Sequence, residues 1–204
     1  MNESEVKLLL KKKFSISDNH INNLKIYVRL LLERNARYNL ISKSTESTLW
    51  SRHILDSAQL FAFFDNNIDA NLVDFGTGAG FPGLVLAICN KNPNFHVKLY
   101  EKSPVKREFL NFVKDKININ VQILENVYAA PINADIIVAR AFKKLDEIIE
   151  ISREIVKKPH KIIVLKGKNA QDEINKVSLN SNYSYKLEDS ITEIDSKIVV
   201  IKVS

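Results

Sequence analysis

Two hydrophobic periodicities divide the chain near residue 67. In residues 1–66, apolar side chains recur three or four positions apart, which is the spacing of one helical face. The first stripe comprises Ile21, Leu24, Val28, Leu31 and Leu32, and the second comprises Trp50, Ile54, Ala58 and Phe61. We expect the first helix to be capped by Ser17 and the second by Ser44 or Thr45. The pattern therefore predicts an N-terminal helical extension.

Short apolar runs alternate with helical segments in residues 67–204. Strands are predicted at 71–75, 95–101, 120–124, 134–140 and 161–167, and helices at 83–90, 105–116 and 144–157. This alternation is typical of a parallel sheet with helices on both faces. Two further apolar segments, 181–189 and 197–203, predict a closing hairpin. We therefore predict one α/β core containing a seven-stranded, mostly parallel, Rossmann-like sheet.

Four of the five glycines fall within residues 76–83, directly after the first predicted strand. The segment from Asn71 to Gly83 reads NLVDFGTGAGFPG, and Pro82 lies near the first turn of the helix that follows. Glycine permits positive φ angles and lets a ligand approach the backbone closely. A strand, a glycine-rich loop and a helix in this order are typical of nucleotide-binding folds.

The glycine-rich loop has two interpretations. From Gly78, the letters GAGFPG match the G-x-G-x-x-G fingerprint of dinucleotide-binding enzymes. From Asp74, DFGTGAG matches the first motif of S-adenosylmethionine-dependent methyltransferases, and Glu101 would bind ribose hydroxyls in either case. A carboxylate at Asp74 is unfavourable beside a pyrophosphate but suits a ligand with an amino group and a sulfonium. This favours S-adenosylmethionine and leaves a nicotinamide cofactor as the alternative.

Charged side chains outside the loop suggest a second part of the site. Arg140 ends the fourth predicted strand, at the edge where α/β sheets bind ligands, although a surface arginine paired with an acid fits equally well. Arg52, His53 and Asp56 are three or four positions apart and would share a helical face. An ordinary salt bridge beside a half-buried histidine explains the same spacing.

Composition narrows the classes of function. The chain has 30 basic and 24 acidic residues, and its net charge of +6 favours a polyanionic partner such as nucleic acid. No apolar run approaches the ~20 residues of a membrane span. The single cysteine, Cys89, lies in a predicted apolar helix, which suggests that its side chain packs in the core. A chain with one cysteine forms no internal disulfide, which fits a reducing, cytoplasmic compartment. We expect no metal site. We also expect a monomer, because no apolar stripe is larger than the hydrophobic core requires.

Six segments, spread over nearly the whole chain, carry a specific resemblance. They are RYNLIS (37–42), RHILDS (52–57), VDFGTGAGFPG (73–83), SPVKREFL (103–110), ARAFKKL (139–145) and VLKG (164–167). Together they resemble the RsmG (GidB) family, bacterial methyltransferases that modify ring nitrogen 7 of a guanine in 16S ribosomal RNA. The resemblance implies a methyltransferase fold, S-adenosylmethionine as cofactor, and 16S rRNA or the small ribosomal subunit as partner.

The resemblance also implies roles for individual residues. Cofactor contacts are implied for Gly76, Gly78, Phe81, Glu101, Val127, Tyr128 and Arg140, with Val127 and Tyr128 beside the adenine. Positions on the RNA side of the site are implied for Arg52, His53, Asp56 and Lys166. The family usually has an acidic residue at position 128, where this chain has a tyrosine that can stack or use its hydroxyl.

The implied chemistry requires no catalytic acid or base. Guanine N7 carries a free lone pair at neutral pH, and its methylation releases no proton, so the enzyme has to position the reactants. Three other functions remain open from the residues. They are a nicotinamide-dependent oxidoreductase, a methyltransferase acting on a substrate other than RNA, and a non-catalytic RNA-binding module. The chain has no Tyr-x-x-x-Lys pair and no separate substrate domain, which argues against the oxidoreductase.

Overall fold

A seven-stranded sheet is the central element of the computed structural model, which describes residues 1–65, 67–177 and 181–204. The strands are β1 (Ala70–Phe75), β2 (Phe95–Tyr100), β3 (Val121–Leu124), β4 (Ile136–Arg140), β5 (His160–Lys166), β6 (Tyr183–Asp189) and β7 (Lys197–Val203). Their order is β3-β2-β1-β4-β5-β7-β6. Strands β1 to β5 are parallel, and β7 is antiparallel to both β5 and β6. The prediction of a mostly parallel sheet closed by a hairpin is confirmed.

Helices cover both faces of the sheet. They are α1 (Glu3–Phe14), α2 (Asp18–Tyr38), α3 (Asp56–Ala58), α4 (Gly83–Cys89), α5 (Pro104–Ile117), α6 (Leu145–Ile155) and α7 (Ala170–Asn175). Residues of α1, α2, α4 and α5 share one hydrophobic cluster, and residues of α6 and α7 share the cluster on the opposite face. None of the helices in the described part of the chain has the length and hydrophobicity of a membrane span.

The central strands are buried on both faces, as expected for parallel strands between helical layers. In β4, Ile136 and Val138 belong to one cluster, whereas Ile137 and Ala139 belong to the other. The first cluster also includes Val6 and Leu10 of α1, so the N-terminal helices share a hydrophobic core with the sheet. The division into an extension at 1–66 and a core at 67–204 stays a prediction.

The first predicted helical stripe lies on α2. Ser17 caps this helix by accepting a hydrogen bond from the His20 N–H, as predicted. Ile21, Leu24, Val28 and Leu31 are buried, and Leu32 is 37% exposed at the edge of the stripe. The helix therefore packs one apolar face against the rest of the molecule.

The second stripe does not form one capped helix. Lys43–Thr45 and Gln59–Phe63 are 3₁₀ turns, Trp50–Leu55 is π-helical, and α3 is a single α-turn between them. The expected cap at Ser44 or Thr45 is wrong, because the Thr45 hydroxyl donates to the Ser42 carbonyl instead of opening a regular helix. Wide π-turns occur frequently at functional sites.

Candidate functional site

The glycine-rich loop joins the carboxyl end of β1 to α4. Gly76 and Gly78 have φ angles of +72° and +61°, which residues other than glycine rarely adopt. Among the described residues, a Cβ added to Gly78 would meet no heavy atom within 4 Å, whereas one at Gly76 would lie 2.4 Å from Phe142 Cδ2. Gly78 therefore borders open space, while Gly76 is required because the Phe142 ring packs directly against it.

Tyr27, on the N-terminal helix α2, supports this loop. Its side chain is fully buried, and its hydroxyl donates to the Ala79 carbonyl at 2.8 Å. Its ring packs against Phe81 and Phe109. Burial raises the pKa of Tyr27 well above its usual value, so the hydroxyl remains a protonated donor. Helix α2 thus helps to fix the conformation of the loop.

Glu101, directly after β2, lies against the loop. Its carboxylate accepts hydrogen bonds from the Gly78 N–H at 2.9 Å and from the Ser103 N–H at 2.8 Å. A carboxylate offers about four lone-pair sites. Two of them remain to accept hydrogen bonds from a ligand diol, which is the role expected from the sequence.

Asp74 does not face the space above the loop. Its side chain is fully buried at the end of β1, and Oδ2 accepts a hydrogen bond from the Gly83 N–H at 2.7 Å. Burial raises the pKa of Asp74 to about 7, although the nearby Thr77 side chain, the hydrogen bond from the Gly83 N–H and the charge of Arg140 oppose that shift. The structure does not support the expected contact with a ligand amino group, because the carboxyl is buried and hydrogen-bonded to the first residue of α4.

Arg140, at the end of β4, is the centre of a polar cluster. Nη2 lies 2.8 Å from His53 Nδ1, and Nη1 donates to the Arg52 carbonyl at 3.0 Å and to Asp56 Oδ2 at 3.4 Å. The guanidinium also lies 5.0 Å from the centroid of the Phe81 ring. The sequence left open whether Arg140 pairs with an acidic residue at the surface. Arg140 does pair with an acid, Asp56, but the pair lies in a largely buried cluster.

The hydrogen bonds around His53 assign its tautomer. Arg140 can only donate, so His53 Nδ1 accepts. The Thr45 hydroxyl donates to the Ser42 carbonyl, so His53 Nε2–H donates to Thr45 Oγ1 at 3.0 Å. The imidazole also stacks on Phe81 at a centroid distance of 4.7 Å. Burial and the positive charges of Arg140 and Arg52 lower the pKa of His53 to about 3, so the ring is neutral.

Arg52 and Asp56 do not pair with each other, although the helical spacing placed them on one face. Arg52 Nη1 pairs with Glu193 in the connection between β6 and β7 at 2.7 Å. Asp56 Oδ1 accepts from the Thr192 hydroxyl at 2.8 Å and from Gln59 Nε2 at 2.9 Å. The π-helical turn changes the angular spacing of these side chains, which directs both toward the β6–β7 connection.

Two cavities between described residues meet at this cluster. The first, about 450 Å³, lies over the glycine-rich loop and is called the loop cavity. The second, about 420 Å³, lies toward the β6–β7 connection and is called the hairpin cavity. Both have walls formed partly by Thr45, His53, Arg140 and Ala141. Ligands bound in the two cavities would therefore be neighbours.

The backbone is strained where the two cavities meet. Ala141 has a φ of +50°, a conformation that costs an L-residue about 1–2 kcal/mol. The other non-glycine residues with positive φ among those described, Ser15, Asn39 and Asn118, each end a helix. Strain of this kind away from a helix end is often found at functional sites.

Neither of the two residues expected beside the adenine, Val127 and Tyr128, lines the loop cavity. The Val127 side chain is buried in the hydrophobic core. Tyr128 is 45% exposed and lines a third cavity of about 790 Å³ near the ends of β2 and β3. That cavity is larger, but it shares only Lys102 with the loop cavity. The adenine contacts of Val127 and Tyr128 stay predictions.

Lys166, expected to meet RNA phosphates, lies at the hairpin cavity with its ammonium engaged. Nζ donates to Glu173 Oε2 at 2.7 Å and to the Lys143 carbonyl at 2.8 Å, and the side chain is 12% exposed. A phosphate contact would have to replace these partners. The role stays a prediction that this geometry does not favour.

Sequence reasoning missed several residues that line the two cavities. In the loop cavity these are Leu40, Ile41, Ser42, Lys102, Lys106 and Phe142, and in the hairpin cavity Thr192, Glu193 and Ser196. The RYNLIS and ARAFKKL segments contained a signal for four of the first group. The second group lies in a polar connection without a motif, and only the strand order brings it to the site.

The loop cavity suits a nucleoside that carries a polar tail. Gly78 leaves room for close approach to the backbone, and Glu101 offers acceptors for a diol. Phe81 supplies an aromatic wall, while Lys106 adds a positive charge suited to a ligand carboxylate. These residues fit S-adenosylmethionine, which has an adenosine, a sulfonium and an amino-acid end.

Solved structures similar to this chain share its fold. A mutant of MtNAS in complex with S-adenosylmethionine aligns with 100% of this chain and 84% of its own, with a TM-score of 0.61 and 12% identity. M. jannaschii TYW2 in complex with AdoMet aligns over 76% of each chain, with a TM-score of 0.54 and 18% identity. At these identities the similarity shows the fold alone, and the predicted Rossmann-like methyltransferase fold is confirmed.

Sequence comparison gives the family. The model of the GidB family, described as rRNA small subunit methyltransferase G, matches residues 20–199. Ribosomal RNA small subunit methyltransferase G of Orientia tsutsugamushi (strain Ikeda) is 35% identical over 93% of this chain and 94% of its own. Its counterpart in Rickettsia akari (strain Hartford) is 36% identical over 91% of this chain and 95% of its own. The chain belongs to the rRNA small subunit methyltransferase G (GidB) family.

Proposed function

We propose that this protein transfers a methyl group from S-adenosylmethionine to N7 of one guanine in 16S ribosomal RNA. The observation that carries the proposal is the intact loop cavity, where the glycine-rich loop and Glu101 lie beside the Arg140 cluster. Family membership across residues 20–199 supports the reaction and the class of substrate.

Five residues would hold the cofactor. The backbone at Gly76 and Gly78 would border it, Glu101 would bind the ribose hydroxyls, and Phe81 and Arg140 would form the wall toward the hairpin cavity. When bound, S-adenosylmethionine supplies an electrophilic methyl group on its sulfonium. The task of these side chains is to fix the ligand and exclude water, so that the reacting atoms approach in line.

The Arg140 cluster agrees with a reaction that needs no general base. Guanine N7 is a nucleophile at neutral pH, and the cationic product has no proton to lose. His53 is hydrogen-bonded at both ring nitrogens and is neutral. Asp56 is hydrogen-bonded at both carboxylate oxygens. These residues shape the junction between the two cavities instead of transferring protons.

The RNA side of the site would use charge and shape. Arg52, His53 and Asp56 lie at the hairpin cavity and are proposed to organise the RNA-facing wall. The net charge of +6 favours the RNA backbone, so binding should weaken as salt increases. We further propose that the protein acts as a monomer in the cytoplasm, where its buried Cys89 would remain a thiol.

Methyl transfer from labelled S-adenosylmethionine tests the proposal. The protein is incubated with small ribosomal subunits, and separately with naked 16S rRNA, from a bacterium that lacks this modification. We expect label in the RNA of at least one preparation, and thermal stabilisation by S-adenosylhomocysteine but not by NAD. Stabilisation without RNA labelling would point to another substrate. Stabilisation by NAD alone would refute the methyltransferase.

A further inference from the structure

The hairpin cavity is the described space best placed to receive a substrate. It shares Thr45, His53, Arg140 and Ala141 with the loop cavity, whereas the larger cavity beside Tyr128 shares only Lys102. Its volume, about 420 Å³, lies within the range of roughly 300–1,000 Å³ usual for small-molecule sites. A single nucleobase turned out of its stack would fit such a cavity.

Two carboxylates line this cavity, and they differ in what they can still accept. Asp56 already accepts from Thr192, Gln59 and Arg140, and its side chain is only 14% exposed. Glu193 accepts from Arg52 through Oε1, and no protein donor among the described residues reaches its Oε2. Glu193 is therefore the acid available to a ligand.

The ion pair between Arg52 and Glu193 can exchange partners. The two side chains are 48% and 43% exposed, and pairs this open to solvent stabilise a fold only weakly. Arg52 comes from the π-helical turn and Glu193 from the β6–β7 connection, so the pair spans the cavity wall. A ligand offering donors to Glu193 could take the place of Arg52 at little energetic disadvantage.

We propose that the hairpin cavity receives the target guanine and that the Glu193 carboxylate reads it by accepting hydrogen bonds from N1–H and the exocyclic 2-amino group. This inference rests on the proposed function. Guanine presents these two donors side by side, and a carboxylate matches them with two oxygens. Adenine presents an acceptor at N1 and no 2-amino group, so Glu193 would reject it.

This contact would also favour the reaction itself. As N7 gains the methyl group, the ring becomes positively charged and N1–H becomes a stronger donor. The hydrogen bonds to Glu193 are then stronger in the transition state than in the bound substrate, which accelerates the reaction. Glu193 is thus assigned both base selection and stabilisation of the developing charge.

The experiment compares RNA containing guanine with RNA containing inosine at the methylated position. Inosine keeps N7, O6 and N1–H and lacks only the 2-amino group. We measure kcat/KM for methyl transfer with the native protein, with Glu193→Ala and with Asp195→Asn. Asp195 is an exposed carboxylate of the same connection and lines none of the three cavities, so it is the matched control.

We expect inosine to lower kcat/KM at least tenfold for the native protein and for Asp195→Asn, because a hydrogen bond to a charged acceptor is lost. With Glu193→Ala the two RNAs should differ less than twofold, while S-adenosylhomocysteine binds as tightly as to the native protein. Equal use of both RNAs by the native protein, or unchanged discrimination in Glu193→Ala, would overturn the role of Glu193. A native protein that cannot methylate the guanine RNA would overturn the proposed function, and this inference with it.

Discussion

Replacing Gly78 by alanine separates the conformational cost of the loop from its role in binding. The residue has a φ of +61°, and the added methyl group would meet no heavy atom of the described residues within 4 Å. The free-energy cost in the folded state is therefore only that of the left-handed backbone conformation, about 1–2 kcal/mol. The loss of glycine's freedom in the unfolded chain offsets about 0.4–1 kcal/mol of this. We expect a net loss near 1 kcal/mol, or about 2–4 °C in Tm.

Gly78 lines the loop cavity, and the same methyl group would lie in open space at its wall. It would occupy space that the cofactor needs beside the backbone, so we expect the Kd for S-adenosylhomocysteine to rise at least tenfold, about 1.4 kcal/mol. Gly83→Ala is the contrasting variant. Its Cβ would lie 2.5 Å from Leu99 Cδ2 and 2.6 Å from Asp74 Cβ in the buried core. This overpacking should cost about 3 kcal/mol, while the variant that remains folded still binds the ligand.

Urea denaturation and isothermal titration calorimetry measure the two effects independently. Gly78→Ala should lose much affinity and little stability, and Gly83→Ala should show the reverse. If Gly78→Ala binds S-adenosylhomocysteine as tightly as the native protein, the loop is not the cofactor contact. If both variants lose the same stability, the distinction between backbone conformation and core packing is wrong.

Three further variants test the supports of the site by urea denaturation. The pKa of Asp74 is raised to about 7 in the folded protein, so between about pH 4 and 7 the folded carboxyl holds a proton that the unfolded one has released. The free energy of unfolding should therefore fall by up to about 1.4 kcal/mol per pH unit as the pH rises over this range. Asp74→Asn should lack this component, and an unchanged slope would contradict the assignment. Tyr27→Phe leaves the buried Ala79 carbonyl without its donor and should cost about 1–2 kcal/mol, with weaker S-adenosylhomocysteine binding; native-like values would show that this hydrogen bond is unimportant. Asp56→Asn removes the charge opposite Arg140 and weakens a partly buried, charge-assisted hydrogen bond, which should cost about 1–3 kcal/mol of stability. A variant as stable as the native protein would contradict this role of Asp56.

The parallel part of the sheet could be predicted because its central strands are buried on both faces. Strands β1 to β5 lie between two hydrophobic layers, which requires the short apolar runs seen in the sequence. The irregular turns from Lys43 to Phe63 could not be predicted, because apolar spacing marks a buried face and does not distinguish α-, π- and 3₁₀-turns. Trp50, Ile54 and Ala58 are buried as the stripe indicated, although the helix is broken.

The residues of the site also include some whose positions could be predicted from the sequence and some whose positions could not. Glu101 follows β2 and Arg140 is the last residue of β4, and both strands end at one edge of the parallel sheet. Their positions near the loop therefore follow from topology. The direction in which a side chain points does not follow from topology. Asp74 points into the core and Lys166 binds Glu173, because the local packing of each offers a hydrogen-bonding partner. Glu193 lies in a connection whose path depends on how the closing hairpin folds.

Chemical mapping of the methylated nucleotide tests directly whether the protein methylates N7 of a single guanine. Small-subunit RNA from a strain without the modification is treated with the protein and S-adenosylmethionine, then with borohydride and aniline, which cleave the chain at 7-methylguanine. We predict one new cleavage at one guanine, dependent on both the protein and the cofactor. Methyl label in the RNA without such cleavage would contradict methylation at N7.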